Sequence, residues 1–225
     1  MIIFRRKYPC IFCNRRYADL YYRKGHIGVC PECLENLNTT PKPCAFAGTR
    51  SIDYVVSPIF YSGIIRDVIL NFKFNNFPAY GDVLSLIMCD LLSDMTHLRE
   101  FDFVIPVPLS KGRLIERGYN QAALLAQPFA EFFGVQYRDD VLYKIRETKR
   151  QSVLSHNERL MNVKGAFEAR GKLTGKRILL VDDIFTTGST MSACADALKR
   201  QGAENITGIS LTIREKHENI FSIMY

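Results

Sequence analysis

The chain has 225 residues, 47 % of them hydrophobic and 24 % charged, with a formal net charge of +7. That length suits one α/β domain plus a small accessory module, and the composition is globular rather than disordered. No apolar run approaches the roughly 18 residues that span a membrane, and the opening Met1-Ile2-Ile3-Phe4 turns basic at Arg5 without the order of a secretory signal. The expectation is a soluble, cytoplasmic protein with no membrane insertion.

Residues 1–48 hold two cysteine pairs, Cys10-x-x-Cys13 and Cys30-x-x-Cys33, sixteen residues apart, and no sustained hydrophobic period. A unit this short and loop-rich cannot bury a core by itself. Two such turns offer four thiolates, the ligand set of a structural Zn2+ site of zinc-ribbon type, and metal binding would supply the folding free energy the segment lacks. Disulfides and free thiols are the competing readings, the first disfavoured in a reducing compartment. Four cysteines suffice for the metal, which leaves His26 as a surface histidine.

The same stretch is basic. Residues 1–33 carry net +5, from Arg5, Arg6, Lys7, Arg15, Arg16, Arg23 and Lys24 against Asp19 and Glu32, interleaved with Tyr8, Phe12, Tyr17, Tyr21 and Tyr22. Basic side chains track a phosphate backbone and exposed rings stack on unpaired bases, so single-stranded DNA is one expected partner. Alternatively the rings pack over the metal site and the charges solvate that face. Pro41-Lys42-Pro43 and Gly48 suggest a linker, with a second domain at 49–225.

Beyond the linker, Tyr54-Val55-Val56 and Ile59-Phe60-Tyr61 are two short β-rich runs. Ile65, Val68, Ile69 and Phe72 fit one helix face; Val83, Leu84, Ile87, Met88, Leu91 and Met95 fit another. Phe103 to Pro108 is a short apolar strand that enters a basic loop. Leu125, Phe129 and Phe132 mark a helix that Pro128 should kink. Ile178-Leu179-Leu180-Val181 has the continuous apolar character of a parallel strand buried on both faces. A helix with Met191, Ala195 and Leu198 inward follows and stops at Gly202; Ile209, Leu211 and Ile213 then alternate as a strand. Cys89 and Cys194 fall in the apolar stripes as core residues. Strands alternating with helices predict an α/β fold with a parallel sheet.

The chemistry concentrates at Val181 to Thr190. Two carboxylates, Asp182 and Asp183, emerge at the C-terminal end of a buried strand, the edge at which open α/β sheets bind ligands. Thr186-Thr187-Gly188-Ser189-Thr190 follows and leads into a helix. Glycine allows a tight turn, successive N–H groups cradle an anion, and the hydroxyls add donors. Acids beside a phosphate cradle would repel phosphate alone, but carboxylates accept hydrogen bonds from ribose hydroxyls. A sugar phosphate satisfies both halves. Simple helix capping by Ser and Thr is the bland alternative, and it leaves the paired acids unexplained.

This segment resembles the phosphoribosyl pyrophosphate signature of type I phosphoribosyltransferases. The resemblance implies that Asp182 and Asp183 hold the ribose 2′- and 3′-hydroxyls and that Thr186, Thr187, Gly188, Ser189 and Thr190 hold the 5′-phosphate. Pro106-Val107-Pro108-Leu109-Ser110-Lys111 resembles the pyrophosphate-binding loop, so Leu109, Ser110 and Lys111, with Arg113 and Arg117 after them, are implied substrate-binding residues. Gly112 to Gln121 is similar to the following segment in the competence-protein ComF family. Glu147-Thr148-Lys149-Arg150-Gln151 through Arg159, Asn162, Gly165 and Phe167 resembles the hood of amidophosphoribosyltransferases and ComF proteins. Lys149, Arg150 and Arg159 are thereby implied as catalytic cations. The order of these motifs matches over roughly residues 50–215, and with the cysteine unit most of the chain fits ComF.

Three functions follow as expectations: a ComF protein acting in DNA uptake during transformation, a metabolic phosphoribosyltransferase with a structural zinc unit, or a non-catalytic sensor of phosphoribosyl pyrophosphate that binds nucleic acid. Pyrophosphate departure from C1′ develops oxocarbenium character, and Mg2+ and cationic side chains would neutralise the leaving polyanion. No residue identifies itself as a base for an acceptor.

Overall fold

The computed structural model describes residues 6–47, 51–148 and 161–214. The cysteine-bearing unit contains β1 (Tyr8–Pro9) paired antiparallel with β2 (Arg16–Tyr17), β3 (Tyr21–Lys24) paired antiparallel with β4 (Ile27–Val29), and the short helix α1 (Pro31–Glu35). Next come β5 (Thr39–Ala47), β6 (Tyr54–Phe60), α2 (Ile64–Phe74), α3 (Tyr80–Leu91), a 3-10 turn over Thr96–Glu100, and β7 (Phe103–Pro106). Helices α4 (Lys111–Arg117) and α5 (Gln121–Phe133), then β8 (Gln136–Tyr137) and β9 (Leu142–Lys144), lead to β10 (Phe167–Ala169), β11 (Arg177–Phe185), α6 (Ser189–Arg200) and β12 (Asn205–Ile213).

One six-stranded sheet, in the order β5-β6-β12-β11-β7-β8, organises the chain. Its pairs are parallel except β5 with β6 at one edge. Ile178 lies opposite Phe103 on one side and Ile206 on the other, so β11 is central. Its residues alternate between two cores, as two-faced burial requires. Leu179 and Val181 pack with Ile65, Phe72, Leu84, Met88, Leu125 and Phe129 of α2, α3 and α5. Ile178 and Leu180 pack with Met191, Ala195 and Leu198 of α6 and with Leu142 and Phe167 of the β9–β10 pair.

Four expectations are revised. The two runs at 54–61 are a single strand, β6, which passes through Pro58. Proline supplies no ladder N–H, and the β5 register shifts between Thr39 (opposite Ile59) and Cys44 (opposite Ser57), absorbing the missing donor in a bulge. Pro41-Lys42-Pro43 lies in β5, an edge strand that has only one neighbour to bond, rather than in a linker. In α5 the helix continues through Pro128, and Phe133 is buried while Phe132 is 43 % exposed. Finally, β12 is buried at Ser210 and Thr212 as well as at Ile209, Leu211 and Ile213, because helices cover both faces of the sheet.

The cysteine unit docks on this frame. Cys10, Ile11, Val29, Cys30, Cys33 and Leu37 are continuous with the core that contains α3, and Tyr22 donates its hydroxyl to Asp90 of α3 at 2.6 Å. Among the described residues no helix is long and apolar enough to cross a membrane.

Candidate functional site

A cleft of about 300 Å³ opens where β7 and β11 end and their following loops diverge. Leu109, Arg113 and Arg117 line one wall; Asp182, Asp183, Thr186, Gly188, Ser189 and Thr190 line the other. Thus nine of the sequence-predicted residues share one cavity, at the strand ends where an α/β sheet presents ligand groups. Ser110, Lys111 and Thr187 flank it, while Lys149, Arg150 and Arg159 lie outside the described residues.

The acid pair lies near the C-terminal end of β11, which runs on through Ile184 and Phe185. Its backbone is held in register with β12, where Asp182 stands opposite Ser210, and the Thr212 hydroxyl donates to the Asp183 carbonyl at 3.1 Å. Lys73, near the end of α2, brings its ammonium to 2.9 Å from Asp183 Oδ2, with both side chains largely buried. That contact places a cation beside the acid pair. At Asp182, burial and then the adjacent Asp183 carboxylate push the pKa up to about 8, against the opposing pull of Lys73.

The hydroxylic loop turns at Gly188, whose φ of +74° lies in the left-handed region and which starts α6. A Cβ there would sit 2.9 Å from the Phe185 ring, so both the angle and the space require glycine. Ser189 is buried with its hydroxyl 2.9 Å from that of Thr187, and Ser192 N–H bonds back to the Gly188 carbonyl at 2.8 Å.

The facing wall begins after β7. Asn120 shapes it, donating to the Val107 carbonyl at 3.0 Å and capping α5 by accepting from Ala122 N–H at 3.1 Å. Arg117 stacks over the Phe74 ring at 5.0 Å and donates to Gln121 at 3.0 Å. Lys144 of β9 also lines the cleft; burial, with Arg113 nearby, lowers its pKa to about 8. Lys144 opens a basic stretch, Lys144 to Lys164, that suits a polyanion by its charge, whereas Lys73, Tyr61, Phe74 and Arg214 are site residues that sequence reasoning did not select. None lies in a motif, and only the tertiary fold brings them to β11.

The second cluster is sulfur. The Sγ atoms of Cys10, Cys13, Cys30 and Cys33 all lie within 4.8 Å of one another, none in a disulfide, with Cys13 Sγ and Cys30 Sγ 3.8 Å apart. Tetrahedral thiolates at a Zn–S distance of about 2.3 Å stand about 3.8 Å from each other, so the donor set and its spacing fit such an ion. Burial raises the Cys30 pKa, but hydrogen bonds from Cys33 N–H, the Tyr17 hydroxyl and the Cys33 and Cys10 thiols prevail and bring it to about 7. His26 is exposed, stacks on Tyr8 at 5.6 Å and is no member of the cluster. Of the rings interleaved with the basic residues, Phe12, Tyr17 and Tyr22 pack against the core and Tyr8 is half-buried, whereas Tyr21 is 54 % exposed.

Comparison with known proteins agrees with this geometry. The phosphoribosyl transferase domain family model matches residues 119–220. The chain is 31 % identical over 186 residues to competence protein ComFC of Streptococcus pneumoniae, covering 81 % of this chain and 79 % of that protein. It is 28 % identical over 221 residues to competence protein F of Haemophilus influenzae, covering 88 % and 94 %. To DNA utilization protein YhgH of Escherichia coli it is 28 % identical over 201 residues, covering 80 % and 87 %. The central parallel sheet, the acid pair and hydroxylic loop at the C-terminal end of β11, and these similarities over most of each chain together make the chain a member of the ComF family, built on the phosphoribosyltransferase fold.

Proposed function

We propose that the cleft binds phosphoribosyl pyrophosphate and that the protein serves DNA uptake from the cytoplasm as a phosphoribosyltransferase. The observation that carries the reading is the meeting of Asp182 and Asp183 with Thr186, Gly188, Ser189 and Thr190 on one wall and Arg113 and Arg117 on the other, all in one cavity. The carboxylates accept from ribose hydroxyls, and the loop N–H and hydroxyl groups hold the 5′-phosphate. Arg113, Arg117 and Lys144 supply positive charge where the diphosphate leaves, and Lys149, Arg150 and Arg159 are assigned the same task by the family resemblance. Ser110 and Lys111 belong to the loop that frames the diphosphate. The carboxylate oxygens suit Mg2+, which takes hard oxygen ligands and would supply Lewis-acid neutralisation of the leaving group when it arrives with the substrate.

Zn2+ at Cys10, Cys13, Cys30 and Cys33 is the structural half of this reading, and it would hold an accessory module that ends before β5 (Thr39–Ala47), where the sheet that carries the site begins. Exposed Arg15, Arg16, Arg23, Lys24 and Tyr21 on that module suit single-stranded DNA; the names of the competence relatives support the same partner and role. Four phosphate contacts would give a log–log salt slope near −3. The test of the activity is pyrophosphate release from phosphoribosyl pyrophosphate and Mg2+, assayed with and without single-stranded DNA or small acceptors. Release that depends on an acceptor supports the transferase; tight binding with no release under any acceptor leaves a binding protein in its place.

A further inference from the structure

Glu147 places its own carboxylate at the start of α4, against Ser110 just before the helix and Gly112 in its first turn. Ser110, only 2 % exposed, donates its hydroxyl to Glu147 Oε2 at 2.7 Å, and Gly112 N–H donates to Oε1 at 3.2 Å. A Cβ on Gly112 would stand 3.0 Å from the same oxygen, so the carboxylate lies against bare backbone. The strip that carries Glu147 is tied at two more points. Arg113 donates to the Thr148 carbonyl at 3.2 Å, and Lys144 donates to the Thr148 hydroxyl at 2.8 Å.

The Glu147 carboxyl is anionic: the Ser110 hydrogen bond holds it below the usual carboxylate range, helped by Gly112 N–H, Lys144 and Arg113. A hydroxyl and an amide donate to it, and two cations flank it. That is the set of contacts a phosphate oxygen would seek at this position. Up to Arg146 the strip is placed by the β9–β10 pairing, by Ile145 N–H on the Ala166 carbonyl and by Arg146 on the Asn162 and Lys164 carbonyls, whereas Glu147 and Thr148 reach α4 through the polar contacts above.

We infer that Glu147 is an internal anion seated on the diphosphate loop, and that a diphosphate must displace it to bind. This rests on the reading of the cleft as a phosphoribosyl pyrophosphate site. Donors engaged by Glu147 are withheld from the ligand, so apparent affinity falls by the fraction of molecules in which the loop is free. Displacement also loosens the ties of Thr148 to Arg113 and Lys144, which couples diphosphate arrival to release of Glu147 and Thr148 while β9 stays paired with β10. A sugar phosphate without diphosphate binds at Thr186–Thr190 and never meets Glu147.

Calorimetric titrations of inorganic pyrophosphate and, separately, ribose 5-phosphate into full-length wild type, E147Q and E147A test this, each with Mg2+ present. Pyrophosphate affinity rises about tenfold in E147A if the free loop is about one-tenth populated in the wild type. E147Q falls between, because the amide still accepts from Ser110 but lacks the charge. Ribose 5-phosphate affinity stays unchanged. Pyrophosphate affinity that is unchanged, weaker or absent in both variants, with ribose 5-phosphate still bound, overturns the proposal and leaves the cleft reading intact. An equal rise for both ligands also overturns it, since that indicates a general field effect rather than displacement. Neither ligand binding any of the three proteins overturns the reading of the cleft itself.

Discussion

Lys73 Nζ sits 2.9 Å from Asp183 Oδ2, tying α2 to the end of β11. The pair is what lets two acids stand side by side at a largely buried strand end. Removing one partner of such a pair strands the other charge, which costs more than the pair itself contributes. K73M is expected to lose about 2–3 kcal/mol of stability, less than a fully buried pair because Lys73 retains some exposure. K73M combined with D183N should recover most of it, and denaturant melts of the four proteins in the cycle measure the coupling. Equal stability of K73M and wild type contradicts this account.

Asp182 gives a pH signature. Its folded pKa, pushed to about 8 by burial and by Asp183, exceeds that of the free side chain. Between about pH 4 and pH 8 the folded state therefore holds a proton the unfolded state has lost, and stability from this group declines as pH rises. D182N does not titrate. Relative to wild type, its stability should climb from pH 5 to pH 8 by up to about 4 kcal/mol, roughly ten degrees in melting temperature. A difference that is flat with pH removes the assigned cause.

Much of this was legible in the sequence because local pattern and tertiary role coincide. Ile65, Val68, Ile69 and Phe72 fall on one helix face and are all buried; Ile178 to Val181 read as a two-faced strand and are one; the two Cys-x-x-Cys turns converge as their spacing predicts. Where the signal is a partner distant in the chain, sequence is silent. Lys73 follows the apolar stripe of α2 with no motif around it, and only the crossing of α2 over β11 gives it Asp183. Phe132 and Phe133 are both aromatic, and a helical period alone does not decide which faces the core. Pro41 and Pro43 suggest a linker in isolation, yet an edge strand tolerates them.

Gly188 carries a strain prediction. With φ at +74° and the Phe185 ring 2.9 Å from any added Cβ, G188A should cost about 1–3 kcal/mol. It should also weaken ribose 5-phosphate binding by tenfold or more, since the turn aims the loop N–H groups. A thermal melt and a titration check the two effects separately. Wild-type behaviour in both would show that the loop is not held by this geometry.

The cysteine cluster predicts one zinc per chain in protein purified without chelators. C30S should lose the metal and with it the seat of Val29, Leu37 and Tyr22 against α3. Hydrogen exchange should then quicken at Val83 to Met88 while β11 and β12 stay protected. Metal-free wild-type protein with the same protection at α3 contradicts the structural role.

The most direct test of the whole account is a calorimetric titration of phosphoribosyl pyrophosphate with Mg2+ into wild type and into D182N/D183N. Hydrogen bonds to charged groups contribute roughly 1.5–3 kcal/mol each, so the double variant should bind at least a hundredfold more weakly. Equal affinity of the two proteins for phosphoribosyl pyrophosphate would contradict it.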